Sequence, residues 1–554
     1  MNKLLSLISA FALGFASYSY GQLERFSTQP FSLPALTKQL IVADMNGDNQ
    51  ADLLAVLDDR LRVYFQSASG FDFNAGFDEI VFADQSIGWD LSAGYHPDGQ
   101  LGIVALVDGK TIQVWHAQRN KFQAGVSVQS NLNGFLGKGL NRLHFSRDIN
   151  GDSLEDLVIP SAGKLNIYIR TASANYQAPL SIQADFRIRS NLESTQLDRR
   201  VGQAVRIPQL ELRDVNGDQL DDLISRTEER LDVFLATASG NAYFPSLPSY
   251  SLNIEEIQER LGKFDIENVD FSNLTGILAL THEEILEDVN GDGIEDLLLR
   301  EGGKVSLFAG TQTGMDLVEP KQVLRSGGNV LSTFLYDENE DGLKDLWLWR
   351  VEPISVGDVF MWLALSGSIA IEAFIYPNEG ERFARRPSRK VSIDLKFPSV
   401  IRLASSFREL ESEVKAAAQD AADITTIADF DATTVNKDVL LMVNSQLSLF
   451  MDVIEPSPEA KEFLGGLGYS RSQDSYQIDI KTVLDQVAIK AAVELTSIEG
   501  RSPDMNVPIA SSGLTTDLIP ARINGDEVDD LLVFETQESG LIKGLLLLSE
   551  SKSQ

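Results

Sequence analysis

The chain has 554 residues, no cysteine and a formal net charge of −34. The missing thiols exclude disulfides, thiolate metal sites and a cysteine nucleophile. The charge disfavours nucleic acid or an anionic membrane surface as a partner.

Residues 1–21 read as a secretory signal peptide. Lys3 supplies the positive start, and Leu4 to Ala16 an apolar core too short to span a bilayer, with cleavage expected near Gly21. This predicts a secreted protein, periplasmic or extracellular at the cell surface, and leaves 22–554 as one domain. No later segment is expected to span a membrane. Val359 to Ile375 is apolar, but Ser366, Gly367, Ser368 and Glu372 interrupt it, so two strands and a turn are expected there.

Five near-copies of an acidic loop follow in order. They place Asp44, Asn46, Asp48 and Asp52 at loop positions 1, 3, 5 and 9, then Asp148, Asn150, Asp152 and Asp156, then Asp214, Asn216, Asp218 and Asp222. The last two are Asp288, Asn290, Asp292 and Asp296, and Asp337, Asn339, Asp341 and Asp345. Oxygen side chains at alternate positions suit a hard cation, because a chain curling round one ion turns every second residue inward. About five Ca²⁺ ions are expected. The backbone carbonyls of Gln50, Leu154, Leu220, Ile294 and Leu343 at position 7 complete the predicted shells.

Each loop sits in a fixed context. An apolar segment such as Leu40–Ala43 precedes it, and a doublet such as Leu53-Leu54 or Leu297-Leu298 follows. Then comes an alternating run, as at Leu61-Arg-Val63-Tyr-Phe65, which marks a strand. A fourth strand carrying an aromatic is expected at Phe71–Phe73, Phe122, Tyr176 and Tyr243-Phe244. Recurrence at this period implies a repeat architecture. Three degenerate units bring the count to about eight: one near Asp98, one near Asp429 with a loop lengthened to Asp438, and one near Asn524. In the last, Arg522 replaces the first Asp and is expected to reach Asp526 or Asp530, taking the place of an ion.

These motifs resemble the FG-GAP or VCBS repeats of integrin-like proteins. The resemblance implies an all-β fold, a β-propeller of four-stranded blades. Eight blades are expected, with seven the alternative, and a calcium loop joins the first two strands of a blade. The segment from Glu24 to Leu33 is expected to complete the last blade and close the ring.

Long connectors at 177–208, 245–283, 376–425 and 455–516 carry the remaining signals. Helical spacing appears at Ile254–Leu261 and Phe407–Ala418, and Val483–Ala492 reads as helix or strand. In a propeller, connectors between blades emerge on the face opposite the ion loops, where a protein or glycan ligand is expected. His96, His116, His144 and His282 fall in different units with no metal spacing, and no G-x-S-x-G elbow or phosphate loop occurs. The basic run Arg382–Lys390 reads as a solvated strand edge or a docking patch. Calcium is expected to be structural, since strands locked in a blade offer no two-state element to bias. The function expected is non-catalytic binding or scaffolding; the alternative is a calcium-dependent polysaccharide lyase or other carbohydrate-active enzyme on the same scaffold.

Overall fold

The computed structural model describes residues 26–549, apart from 36, 68–69, 83–85, 130–131, 135–141, 162, 174, 192–199, 207, 239–241, 263–269, 400–401, 403–423, 431–436, 444–445, 455–469, 480–500, 509–515 and 538–539. The expected signal peptide, the patterns at Phe407–Ala418 and Val483–Ala492, and much of the lengthened seventh loop lie outside the described residues.

The protein is all-β. Eight sheets of four or more strands, antiparallel but for one strand pair, follow one another along the chain among the described residues. Sheet I is typical, with Gln39–Ala43, Asp52–Val56, Arg60–Tyr64 and Phe77–Val81 laid side by side in sequence order. Sheets II to V repeat this order, their second strands being Gly102–Val107, Asp156–Ser161, Asp222–Arg226 and Asp296–Glu301. Sheet VI adds a fifth strand, Ser475–Asp479, parallel to its fourth, Arg389–Phe397. Sheet VII contains Lys437–Val443 and sheet VIII Asp530–Thr536.

Sheet VIII takes its fourth strand from the other end of the chain. Phe26–Leu33 pairs antiparallel with Ile542–Ser549 over eight residues, from Phe26 opposite Ser549 to Leu33 opposite Ile542.

Second strands are buried on both faces, which explains the apolar doublets. In Asp52–Val56 every residue is buried. Leu54 and Val56 pack towards sheet II with Trp89 and Ile103, while Leu53 and Ala55 pack towards sheet VIII with Leu532 and Leu546. Strand alternation thus sends successive side chains into two different cores. Shared cores of this kind join VII to VIII, VIII to I, and each later pair as far as V and VI. The fifth strand of sheet VI adds Tyr476 to a cluster with Trp347 and Val391.

Several expectations need correction. The apolar stretch after Val351 is not two strands: Val356–Ala364 is a helix, followed by the strand Gly367–Tyr376. A capping box fixes its start, with the Ser355 hydroxyl accepting from the Asp358 N–H at 3.1 Å and the Asp358 carboxylate accepting from the Ser355 N–H at 2.8 Å. Ser-Val-Gly-Asp is the sequence signature of that box. The aromatic positions are not the fourth strands either. Gly70–Phe71 and Lys121–Phe122 lie in two-stranded ribbons, Tyr176 makes an isolated bridge to Arg170, and Tyr243-Phe244 is irregular. The fourth strands come later, as at Phe77–Val81, Val126–Gln129, Leu180–Gln183 and Tyr250–Asn253. Within 177–208 a hairpin forms from Asp185–Asn191 and Arg200–Arg206. The helix Ile254–Leu261 is present, capped by Asn253, with Ile254 and Ile257 buried. No helix among the described residues is long and apolar enough to cross a membrane.

Leu33 is 1% exposed in the core shared by sheets VIII and I. Leu33→Ala is expected to destabilise the protein by about 2–5 kcal/mol, the cost of a large-to-small change in a packed core. Calorimetry should show a lowered melting temperature; an unchanged one would mean that the N-terminal strand does not hold the last sheet.

Candidate metal loops

Each of the five acidic loops joins the first and second strands of sheets I, III, IV, V and VI. The backbone turns inward because positions 4 and 6 are left-handed. Gly47 and Asn49 have φ of 76° and 62°, Gly217 and Gln219 75° and 69°, and Gly291 and Gly293 79° and 81°. Glycine at position 4 meets this demand without steric cost. In the fifth loop Glu340 takes that position at φ 61°, a conformation costing an L-residue roughly 1–2 kcal/mol.

The side chains repeat one pattern. The position 1 carboxylate accepts the N–H of position 6: Asn49, Ser153, Gln219 and Gly293 at 2.8 Å and Gly342 at 2.9 Å. The position 5 carboxylate accepts the N–H of position 7, for example Gln50 to Asp48 and Ile294 to Asp292, both at 2.9 Å. The position 3 amide bonds to the position 5 carboxylate, as from Asn46 to Asp48 at 3.0 Å and Asn339 to Asp341 at 2.8 Å. Asp44, Asn46 and Asp48 and their counterparts are therefore gathered in one small loop.

The position 9 aspartates stand apart. Asp52, Asp156 and Asp222 are wholly buried, and Asp296 and Asp345 are 3% and 2% exposed. One carboxylate oxygen accepts a backbone N–H from beyond the third strand: Gln66 at 2.9 Å for Asp52, Arg170 at 2.7 Å for Asp156, Ala236 at 2.7 Å for Asp222, Gly310 at 2.9 Å for Asp296 and Asn378 at 2.8 Å for Asp345. The other accepts the position 2 N–H, as from Met45 at 2.9 Å, Ile149 at 2.9 Å and Val215 at 3.0 Å. These residues tie the loop to the end of the third strand, a role that the spacing alone did not reveal.

Burial pushes the Asp52 carboxyl up to about 7, and the negative charges of Asp48 and Asp44 add to this while hydrogen bonds from Gln66 and Met45 oppose it. Asp156 and Asp222 are raised to about 6 for the same reasons, with Asp152 and Asp148, and Asp218 and Asp214, as the repelling neighbours. Three carboxylates within electrostatic reach of one another, plus an amide oxygen, form a donor set that fits a hard divalent cation. Among the described residues, no cluster of three or more His, Asp or Glu side chains is already gathered at metal-ligating distance.

The degenerate loops keep the buried aspartate and lose other parts. Asp438 accepts from Phe430 and Asp452 at 2.7 and 2.8 Å, and Asp530 from Ile523 and Ser549, both at 2.7 Å. Arg522 does not reach Asp526 or Asp530 as expected. Its guanidinium lies 3.8 Å from Asp529, because the carboxylate of Asp530 is turned inward onto buried backbone.

Sheet II has no acidic loop and substitutes differently. Gly102 occupies the head of its second strand, and the His116 ring fills the space an aspartate side chain would take. A Cβ on Gly102 would fall 2.5 Å from His116 Cε1. His96 and His116 do not fall in different units as expected: both belong to sheet II with rings 4.9 Å apart, and burial together with His96 lowers the basicity of His116. His144 is not on a strand but just before one, 3.9 Å from Asp90. His282 begins the first strand of sheet V, its Nδ1 3.2 Å from Glu284.

The basic run is mostly ion-paired. Arg382 meets Glu379 at 3.1 Å, Arg389 meets Glu338 and Asp474, and Lys390 meets Glu372 at 2.5 Å.

No family model matches the chain, and no curated protein matches it. Among solved structures, one of an Agrocybe aegerita lectin recognising non-reducing terminal N-acetylglucosamine is 12% identical, covering 65% of this chain and 80% of its own, with a TM-score of 0.25. BBS1N in complex with ARL6DN, soaked with lead, is 8% identical over 96% of this chain and 97% of its own, with a TM-score of 0.23. The same complex soaked with mercury is 7% identical over 96% and 98%, at 0.21. At these TM-scores the likenesses carry no argument about fold or function.

Two substitutions separate shape from ion binding. Asp222→Ala strips two backbone N–H groups of their acceptor, Val215 and Ala236, and each buried unsatisfied group costs about 1–3 kcal/mol. Melting measured in excess chelator should therefore still show the loss, whereas an effect seen only with calcium would make Asp222 a pure ligand. Gly102→Ala should destabilise by about 1–3 kcal/mol through the clash with His116, and adding His116→Ala should recover part of it.

Proposed function

We propose that the chain is a secreted, calcium-binding β-propeller of the FG-GAP or VCBS kind, a non-catalytic binding or scaffold module. The eight sheets are its blades. The reading is supported by the chain-order packing of neighbouring sheets and by the N-terminal strand seated in the last one. A radial array needs such a clasp, since it otherwise leaves its first and last sheets unpaired. The N-terminal leader, an expectation from the sequence, supports delivery to the periplasm or the cell surface.

One observation carries the calcium reading: the same pattern of left-handed positions and inward carboxylates recurs in five loops separated by up to 293 residues, from Asp44 to Asp337. Held together without a cation, these groups repel; with one, the repulsion becomes attraction. Each ion would use Asp, Asn and Asp at positions 1, 3 and 5, with the position 7 carbonyl and the position 9 Asp closing the shell. Its chemistry is that of a staple, because the loops are fixed between paired strands. A lyase acting on acidic sugars would need free cationic side chains, and the basic run spends most of its charge on carboxylates of its own chain.

Calcium binding only to the folded state stabilises it by about 2.7 kcal/mol per site at a hundredfold excess over Kd. Chelation should lower the melting temperature markedly, and Asp292→Ala should bind one ion fewer by calorimetric titration. An EDTA-insensitive melting curve would sink the calcium reading.

A further inference from the structure

At the end of the sheets opposite the ion loops, the link between second and third strands is long only in sheet VI, where the connector before sheet V packs on it through the Leu274 N–H to the Ile354 carbonyl at 2.7 Å. Elsewhere the second and third strands are joined by two to five residues; in sheet VI residues 352–366 intervene, including the helix Val356–Ala364. Beside that helix lies an open cleft of about 820 Å³. Its wall is aromatic on one side, where Trp362 meets Phe397 edge to face with ring centroids 5.1 Å apart. Gly367 makes room for this pair: a Cβ there would fall 2.5 Å from Trp362 Cδ1 and 2.6 Å from Phe397 Cζ. The remaining wall is polar. Ser366 and Ser368 are exposed, Glu352 uses Oε1 to accept the Ala370 N–H at 2.9 Å, and Lys396 donates to Gln477 at 2.7 Å.

We propose that this cleft binds a neutral oligosaccharide, with Trp362 packing against the C–H face of one sugar ring. The inference rests on reading the chain as a binding module but not on its calcium. A pyranose has one apolar face and a rim of hydroxyls, each able to donate and accept. An indole beside serine hydroxyls, a carboxylate and an ammonium matches both features. Glu352, Asp358 and Asp479 outnumber the single lysine of the lining, so uronates, sulfated sugars and phosphates are repelled. The volume is that of an ordinary small-ligand site and accommodates more than one sugar ring. Two short strand ends, a helix and a fifth strand hold the walls, so the site is largely formed before the ligand arrives.

The apolar crest of the same helix offers a competing occupant. Phe360, Met361 and Leu365 are 68%, 56% and 63% exposed, and such a patch also suits a protein partner. The cleft is favoured because it places an indole beside the exposed Ser366 and Ser368, a pairing that suits a ring with one apolar face and a hydroxyl rim.

The full chain in calcium should be titrated by calorimetry and saturation-transfer NMR with neutral glucose-, galactose-, mannose- and N-acetylglucosamine-based oligosaccharides, and with an oligouronate. Saturable binding of at least one neutral sugar is expected, about tenfold weaker in Trp362→Ala, the loss of roughly one aromatic contact. Trp362→Phe should retain part of the affinity, and Phe360→Ser should leave it unchanged, both with unaltered melting. Failure of every neutral sugar to bind overturns the proposal. So does binding indifferent to Trp362, binding of the uronate alone, or loss in Phe360→Ser with retention in Trp362→Ala, which would assign the surface to a protein. Saturable sugar binding that persists in Trp362→Ala would sink this site while keeping the binding-module reading, whereas no binding of any sugar by the folded chain would count against both.

Discussion

A buried aspartate at the head of the second strand is the constraint on which each acidic-loop sheet depends. Its two oxygens accept N–H groups from two segments that are not otherwise paired: the start of the loop and the exit of the third strand. Without that acceptor both donors would be buried and unsatisfied, since Met45 and Gln66 are themselves buried. The carboxylate reaches both segments because it presents two separate oxygens from one side chain, one to each donor. It fixes where the loop begins relative to where the hairpin ends, and so decides where the residues at positions 1, 3 and 5 are placed.

The same device persists where the ion-binding residues thin out. Asp438 and Asp530 keep both contacts although the seventh loop is longer and the eighth has Arg522 at position 1. Sheet II shows the one full replacement, an imidazole sent from the end of the third strand into the space above Gly102. Loop shape and ion chemistry are thus separable layers. The loops also link sheet to sheet: Glu295 N–H donates to the Val215 carbonyl at 2.9 Å, and Ala51 N–H to Ile523 at 3.3 Å, the latter joining the first sheet to the last.

Much of this was legible in the sequence because it repeats. Alternation placed the strands of sheets I to V, and the N-terminal strand was readable from its likeness to a fourth strand. What stayed hidden was decided by contacts that no local pattern encodes. The backbone-holding role of position 9 was hidden because an Asp offers acceptors to an ion and to backbone N–H groups alike, and only the fold shows the second use. Phe71 and Phe122 are strand residues, but of two-stranded ribbons and not of the fourth strands, a choice of partner that local sequence does not encode. Helix and strand could not be told apart in Val359–Leu365 by hydrophobicity, since those seven residues are all apolar; the capping box at Ser355 was the signal that distinguished them. Ser475–Asp479 pairs across some eighty residues of chain, beyond any periodic signal.

The two ends of the sheets therefore differ in what they can evolve to do. At the loop end, backbone, carboxylates and neighbouring sheets are mutually fixed, so a change in one loop disturbs the adjoining one. At the other end the links between second and third strands are short outside sheet VI, and lengthening one costs mainly the closure entropy of a longer loop, which rises only slowly with length. Sheet VI has accepted such an insertion, and it is also the sheet with an additional strand. Arg389 holds that strand from the loop side through Asp474 and the Gln473 carbonyl at 2.8 Å, while Asp479 at its far end lines the cleft. The anchoring and the exposed cleft are opposite ends of one strand, which lets a rigid loop end support a variable surface.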